Sequence, residues 1–142
     1  MANEVPAIIV ISHGPFCEGL VESTKMIFGP TERLEALPLH EGESPDEYQK
    51  DFCALLDKYN DNVFICVDVF GGTPFNTLMK VATERKLCAI VGINMPMLIE
   101  LLSSRDTLSG NELAKAAVEA NSVVDANLCP MLDQMYSIEK GF

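Results

Sequence analysis

The residues of this chain that could do chemistry stand at the ends of two apolar, β-branched runs. The first run, 8–12, leads directly into His13 and Gly14, and the second, 63–70, contains Asp68 as its one charged residue. A carboxylate that binds one ring N–H of a histidine fixes the tautomer, makes the other nitrogen more nucleophilic and stabilises a positively charged ring. If the two runs are neighbours, His13 and Asp68 form such a pair.

A glycine-rich turn follows the second run. Gly71-Gly72 permits close approach of the backbone, and Thr73-Pro74 begins a helix whose first N–H groups lack partners within the helix. Gly14-Pro15 leads from the first run into a helix in the same way. Helix N-termini attract anions, so both turns, together with the Thr73 hydroxyl, could cradle an oxyanion or a phosphoryl group. The turn is not a P-loop, because no Gly-Lys-Ser/Thr follows it.

These residues also have structural interpretations. His13 could be a histidine that is hydrogen-bonded at a strand end, and Asp68 could accept only from the amides of its own turn. His40 follows a proline-containing strand in a polar loop, which favours a surface histidine. Ser12 and His13 are adjacent on a strand and point to opposite faces, so a hydrolytic triad with Asp68 is not expected.

Strands and helices alternate along the chain, which predicts one α/β domain over 1–142 with an uncertain tail at 125–142. The apolar runs predict four strands and a fifth edge strand, at 6–12, 34–39, 63–69, 87–93 and 122–124. Capping and proline signals predict helices at 15–28, 45–59, 73–86, 96–103 and 110–120, with capping boxes before the second and the last. We therefore expect a doubly wound, mainly parallel sheet with helices on both faces, whose carboxyl edge holds the site.

Composition limits the class of protein. The 142 residues carry a net charge of −11, from 10 basic and 21 acidic side chains, which disfavours nucleic acid and anionic lipid as ligands. Five cysteines without a C-x-x-C indicate a reducing compartment and no zinc site, and no secretory signal is recognisable, so we expect a cytoplasmic protein. No metal or cofactor is implied.

The motifs together resemble the IIA component of the mannose family of the bacterial phosphoenolpyruvate:sugar phosphotransferase system (PTS). The matching residues are His13-Gly14, Asp68, the run Gly71-Gly72-Thr73-Pro74-Phe75-Asn76, Asn94-Met95-Pro96-Met97-Leu98, Glu100 and Arg105-Asp106. They extend over about residues 5–120. The Gly-Gly-Thr-Pro-Phe-Asn run at this distance from a strand-end His-Gly is the specific part of the resemblance.

The resemblance implies a phosphotransferase with a phosphohistidine intermediate. His13 would accept a phosphoryl group from the phosphocarrier protein HPr and pass it to a separate IIB protein, which feeds the membrane components IIC and IID. Asp68 would hold the imidazole, and the fold commonly forms a homodimer. We expect phosphoryl contacts from Gly14, Gly71, Gly72 and Thr73. We expect partner contacts from Pro15, Phe16, Phe75, Asn76, Asn94, Met95 and Met97.

Two other functions remain open at this stage. Phosphorylation of His13 could switch the affinity of a regulatory binding module instead of feeding transport. The chain could also be the phosphocarrier of a dihydroxyacetone kinase system, although the intact Gly-Gly-Thr-Pro-Phe-Asn run argues against that. The transported sugar cannot be read from the sequence, because a IIA component contacts proteins and not the sugar.

Overall fold

The computed structural model describes residues 4–122 and 125–141, which form four strands and six helices. In chain order these are β1 (Ala7–His13), α1 (Phe16–Phe28), β2 (Leu34–Leu39), α2 (Pro45–Lys58), β3 (Val63–Val67), α3 (Gly72–Val81), β4 (Ala89–Val91), α4 (Met95–Ser104), α5 (Gly110–Asn121) and α6 (Cys129–Glu139).

All strand pairs of the sheet are parallel, and the strand order is β2-β1-β3-β4. The two most apolar runs, β1 and β3, occupy the centre, as expected for strands that are covered on both faces. Their register pairs Ile11 with Val67, so the chain leaves both strands at the same level of the carboxyl edge.

Helices cover both faces of the sheet, and the side chains of β1 alternate between the two cores. Ile8 and Val10 pack with α1, α4 and α5, whereas Ile9 and Ile11 pack with α2 and α3. The expected doubly wound α/β fold is therefore confirmed. None of the helices in the described part of the chain is long and apolar enough to cross a membrane.

Local sequence explains where the helices begin. Ser44 caps α2 by accepting the Glu47 N–H at 3.1 Å, and Pro45 occupies the first turn, where no N–H is needed. Ser109 is the N-cap of α5, but its side chain makes no capping hydrogen bond, so the capping box predicted there is wrong.

The structure corrects several predicted boundaries. β3 ends at Val67 instead of residue 69, β4 is limited to Ala89–Val91, and α3 ends at Val81 instead of residue 86. Helix α6 was not predicted. The fifth strand predicted at 122–124 is not tested, because Ser122 only ends α5 and residues 123–124 lie outside the described part.

Candidate functional site

His13 and Asp68 meet at the carboxyl edge of the central strand pair. The His13 ring Nδ1 lies 2.8 Å from Asp68 Oδ2, and the His13 backbone N–H donates to the same oxygen at 2.9 Å. The Asp68 N–H donates to the Ile11 carbonyl at 3.2 Å, which extends the pairing of β1 and β3 by one bond. The pairing of the two central strands thus brings together two residues that are 55 positions apart.

This geometry fixes which ring nitrogen of His13 is nucleophilic. Burial acts to raise the pKa of the Asp68 carboxyl, but hydrogen bonds from the His13 backbone and ring outweigh it and hold that pKa below its usual range. An ionised carboxylate only accepts, so the proton between the two side chains belongs to His13 Nδ1. Nε2 of the neutral ring therefore carries the free lone pair.

Gly72 lies directly against that free nitrogen. A Cβ atom at residue 72 would stand 2.6 Å from His13 Nε2 and 2.7 Å from Cε1, closer than atoms can approach. Gly72 has φ +86°, which a side chain also disfavours. Only glycine at residue 72 leaves Nε2 open. This contact explains why a glycine is needed at residue 72, the second of the two adjacent glycines.

The first turn of α3 faces this nitrogen. Gly71 is the N-cap, Gly72 is the first helical residue and Thr73 the second, so their N–H groups are among those without a partner inside the helix. Thr73 is half-buried and Gly72 is exposed. The positive end of a helix thus adjoins the lone pair of Nε2, an arrangement suited to an anionic group transferred to that atom.

The turn after His13 is held by its neighbours. Gly14 has φ +57° and donates its N–H to the Leu39 carbonyl at 2.8 Å. Ser12 is fully buried, and its hydroxyl donates to the Gly14 carbonyl at 3.1 Å and accepts the Cys17 N–H at 2.9 Å. Ser12 faces the α1 side of the sheet, away from the His13 ring, so no triad with His13 and Asp68 forms.

The predicted partner contacts are not equivalent in the structure. Pro15, Phe16 and Asn76 are exposed, and Phe75 is half-buried. The remaining three residues form the start of α4, where the Asn94 side chain accepts the Met97 N–H at 3.0 Å and donates to Asn121 at 2.6 Å. Met95 and Asn94 are half-buried there.

Met97 is a correction to the predicted set. Its side chain points from α4 into the core that α4 shares with the sheet and α5, and is only 4% exposed. It therefore cannot contact a partner in this conformation. Methionine fills irregular gaps in cores, and that role accounts for this residue.

Two apolar residues beside the site are exposed, although the sequence does not indicate it. Val69 is 52% exposed and Phe70 is 80% exposed, and the Phe70 ring stacks on Phe75 with centroids 4.4 Å apart. Val69 is the last residue of the strand predicted at 63–69, and Phe70 continues the same apolar run, so the sequence indicates burial for both. The signal that could have separated them is the Asp68 carboxylate, which must stand at the strand end and not within it.

Stability in acid should report the ionised state of Asp68. The pKa of Asp68 in the folded protein lies below its unfolded value of about 3.9. Its contribution to the free energy of unfolding is therefore complete above that pH and is lost as pH falls through the folded pKa. Urea unfolding of the wild type and Asp68→Asn from about pH 7 to about pH 3 measures this. The stability difference between them should shrink towards acid pH. A constant difference would contradict an ionised Asp68.

Residues 4–122 and 125–141 contain no group of three or more His, Cys, Asp or Glu side chains that could hold a metal ion. A small cavity of about 130 Å³ lies beside the start of α3, lined by Thr73, Asn76 and Lys80 of that helix and by residues of α2. His13 does not line this cavity, and its side chain is 48% exposed. The reactive ring therefore lies on an open protein surface.

Comparison with known proteins gives the same family from sequence and from structure. A family model described as the PTS system fructose IIA component matches residues 7–118. The PTS system fructose-specific EIIA component of Bacillus subtilis is 34% identical over 110 residues, which make up 75% of this chain and 75% of that protein. The PTS system mannose-specific EIIAB component of Escherichia coli is 32% identical over 117 residues, 80% of this chain but 36% of that longer protein.

The fold is also similar to a solved structure. The PTS IIA protein associated with the fucose utilization operon from Streptococcus pneumoniae superimposes with a TM-score of 0.80 and 29% sequence identity. The match covers 93% of this chain and 99% of that one. This chain therefore belongs to the family of PTS IIA components that includes the fructose and mannose types.

Proposed function

We propose that this chain accepts a phosphoryl group from phospho-HPr on His13 Nε2 and passes it to a IIB protein. The observation that carries the proposal is the His13 ring itself, whose Nδ1 is held by Asp68 while Nε2 opens onto the backbone of Gly72. A nitrogen nucleophile beside a helix N-terminus suits an incoming phosphoryl group. The family supports the same role, since its members are components of a sugar phosphotransferase system.

The transfer balances without any further reagent. The Nε2 lone pair attacks phosphorus, the bond from phosphorus to the donor atom of HPr breaks, and its electron pair stays with HPr. The His13 ring then carries phosphorus on Nε2 and a proton on Nδ1, and the Asp68 carboxylate offsets its positive charge. Attack on phosphorus by a nucleophile of IIB releases the neutral ring of His13 in its original tautomer.

The surroundings of Nε2 would supply positioning and charge stabilisation. Phosphoryl transfer passes through a loose transition state with charge on three equatorial oxygens, which N–H donors stabilise. The N–H groups of Gly72 and Thr73, in the first turn of the helix that adjoins Nε2, would be such donors. The phosphoramidate that forms keeps a high transfer potential, so the group can move on to IIB.

One surface would serve both partners in turn, because a single Nε2 must meet the donor and the acceptor. Its apolar residues include the exposed Phe16, which follows the His13 turn in sequence, and the exposed Val69 and Phe70 with the half-buried Phe75, which follow Asp68. Aromatic side chains of this kind are typical anchors of protein interfaces. The net charge of −11 would speed association with a basic partner surface at low salt.

Chemical-shift mapping with HPr and with a cognate IIB protein tests the relay. The two footprints should overlap around Phe16, Phe70 and Asn76, and each partner should displace the other. Complex formation should also weaken as salt rises. Two separate footprints, or one footprint remote from His13, would contradict direct relay and favour a regulatory binding module.

We also propose a cytoplasmic homodimer in which the C-terminal segment joins two IIA domains. The support is α6, which buries none of its side chains and exposes an apolar stripe formed by Leu128, Met131, Leu132, Met135 and Tyr136. A stripe of that kind on a helix calls for a partner surface. Sedimentation of the protein at the concentration used for chemical-shift mapping measures its oligomeric state. A monomer there would contradict the dimer.

A further inference from the structure

Ser12 combines full burial with two hydrogen bonds that close the turn beside His13. Its hydroxyl donates to the Gly14 carbonyl and accepts the Cys17 N–H, so it joins the end of β1 to the first turn of α1. Helix α1 has Pro15 at its N-cap position and no side-chain bond from that residue. Ser12 therefore takes the capping role from three residues upstream of the usual position.

The other restraints on this turn come from elements outside it. Leu39 of β2 holds the Gly14 N–H, and Asp68 holds the His13 N–H. Behind β2, the Tyr48 hydroxyl donates to the Leu37 carbonyl at 2.7 Å, which fixes the strand that bears Leu39. These bonds secure the amino side of the turn. On its carboxyl side, the hydrogen-bonded link among the described residues is the Ser12 hydroxyl, which joins the Gly14 carbonyl to the Cys17 N–H.

We propose that Ser12 is a positioning residue for phosphoryl transfer, an inference that rests on His13 being the acceptor. By fixing the Gly14 carbonyl, the Ser12 hydroxyl holds the Gly14–Pro15 peptide and so the far side of the turn that follows His13. The turn in turn sets the direction in which the imidazole leaves β1. The ring then keeps Nδ1 on Asp68 and Nε2 against Gly72. Without the hydroxyl, the turn and the first turn of α1 relax, and the ring loses this alignment.

Thr24 provides a matched control within the same helix layer. It is also fully buried, on α1, but its hydroxyl oxygen has no hydrogen-bond partner among the described residues. Thr24→Val therefore removes a buried hydroxyl with no connection to the turn at His13. Ser12→Ala removes one that makes two such bonds, and Ser12→Thr keeps the hydroxyl.

Two measurements on the full chain separate positioning from stability. In the unphosphorylated protein, ¹⁵N NMR of the His13 ring should show the two nitrogen shifts converging in Ser12→Ala, as the ring exchanges tautomers. With phospho-HPr as donor, single-turnover transfer at saturating donor should slow about 10-fold or more, with little change in the concentration that gives half-saturation. Ser12→Thr and Thr24→Val should match wild type in both measurements.

The outcomes are distinct. A Ser12→Ala protein with wild-type ring shifts and a rate within about threefold of wild type overturns the proposal. Equal losses in Ser12→Ala and Thr24→Val, or equal losses in Ser12→Ala and Ser12→Thr, overturn it as well. If wild type takes no phosphoryl group from phospho-HPr, the proposed function fails. The ring shifts of the unphosphorylated variants still decide whether Ser12 positions His13.

Discussion

The His13→Ala variant is expected to take up no phosphoryl group from phospho-HPr while it keeps the wild-type fold. The change removes Nε2, the ring nitrogen that lies against Gly72 at the start of α3, and with it the proposed acceptor atom. The fold should survive, because the ring lies at the sheet edge with its side chain 48% exposed. Losing its charge-assisted bond to Asp68 should cost about 1–3 kcal/mol of unfolding free energy. Intact mass after incubation with phosphoenolpyruvate, enzyme I and HPr measures the uptake.

His40→Ala is the control for this experiment. His40 is the second of the chain's two histidines and lies exposed in the loop between β2 and α2, where its backbone N–H donates to Glu43 at 3.0 Å. This variant should gain one phosphoryl group as wild type does. Phosphorylation of His13→Ala combined with its loss in His40→Ala would move the acceptor to His40 and remove the basis for the proposed function.

Gly72→Ala should be nearly as damaging, although it changes no group that reacts. A methyl at residue 72 would stand 2.6 Å from His13 Nε2, so the ring must turn away and give up its bond to Asp68. A displacement of about 1 Å at a reacting atom can cost on the order of 100-fold in rate. We expect a loss of at least about that size in single-turnover transfer from phospho-HPr.

Gly71→Ala separates steric contact from backbone strain. Gly71 has φ +92°, close to the +86° of Gly72, but a Cβ there meets no atom within 4 Å. Both variants should lose about 1–2 kcal/mol of stability from a left-handed backbone, measured by urea unfolding. Gly71→Ala should transfer much faster than Gly72→Ala. Equal rates in the two variants would show that the turn conformation matters and the contact with the ring does not.

The central part of the fold could be predicted from the sequence because its signals are strong and local. Two apolar, β-branched runs indicated buried parallel strands, and the glycine turns after them indicated helix starts. A parallel arrangement places the ends of both strands at one edge, where the structure has His13 and Asp68 2.8 Å apart. That β1 and β3 are direct neighbours comes from the strand order β2-β1-β3-β4, which the sequence left as a condition.

The rest of the site depends on packing that a linear pattern does not contain. Val69 and Phe70 look like strand residues, but the chain turns at Asp68 and leaves them exposed beside the site. The sequence explains Met97 equally well as a partner contact and as a packing residue, and the structure places its side chain in the core together with residues of α5. The contact of Gly72 with Nε2 needs coordinates, because the sequence indicates a tight turn without indicating what it touches.

Helix α6 could not be predicted for a different reason. Its apolar residues recur with helical spacing, but most of the stability of a helix comes from packing its apolar face on a core. Residues 125–141 come after all four strands and the five helices that precede α6, so the sequence does not indicate which core this face would cover. Propensity over eleven residues is a weak guide without that packing.

The pairing of β1 with β3 also affects when a newly made chain becomes active. While the ribosome has delivered only β1, α1 and β2, His13 is present, but Asp68 has not yet been added and the α3 turn is missing. The imidazole of such a fragment has no fixed tautomer and no helix end beside it. Incomplete or truncated chains that lack Asp68 and α3 should therefore not accept phosphoryl groups from phospho-HPr. If His13 is the acceptor as proposed, reactivity is expected only after synthesis has passed α3 and the central strands have paired.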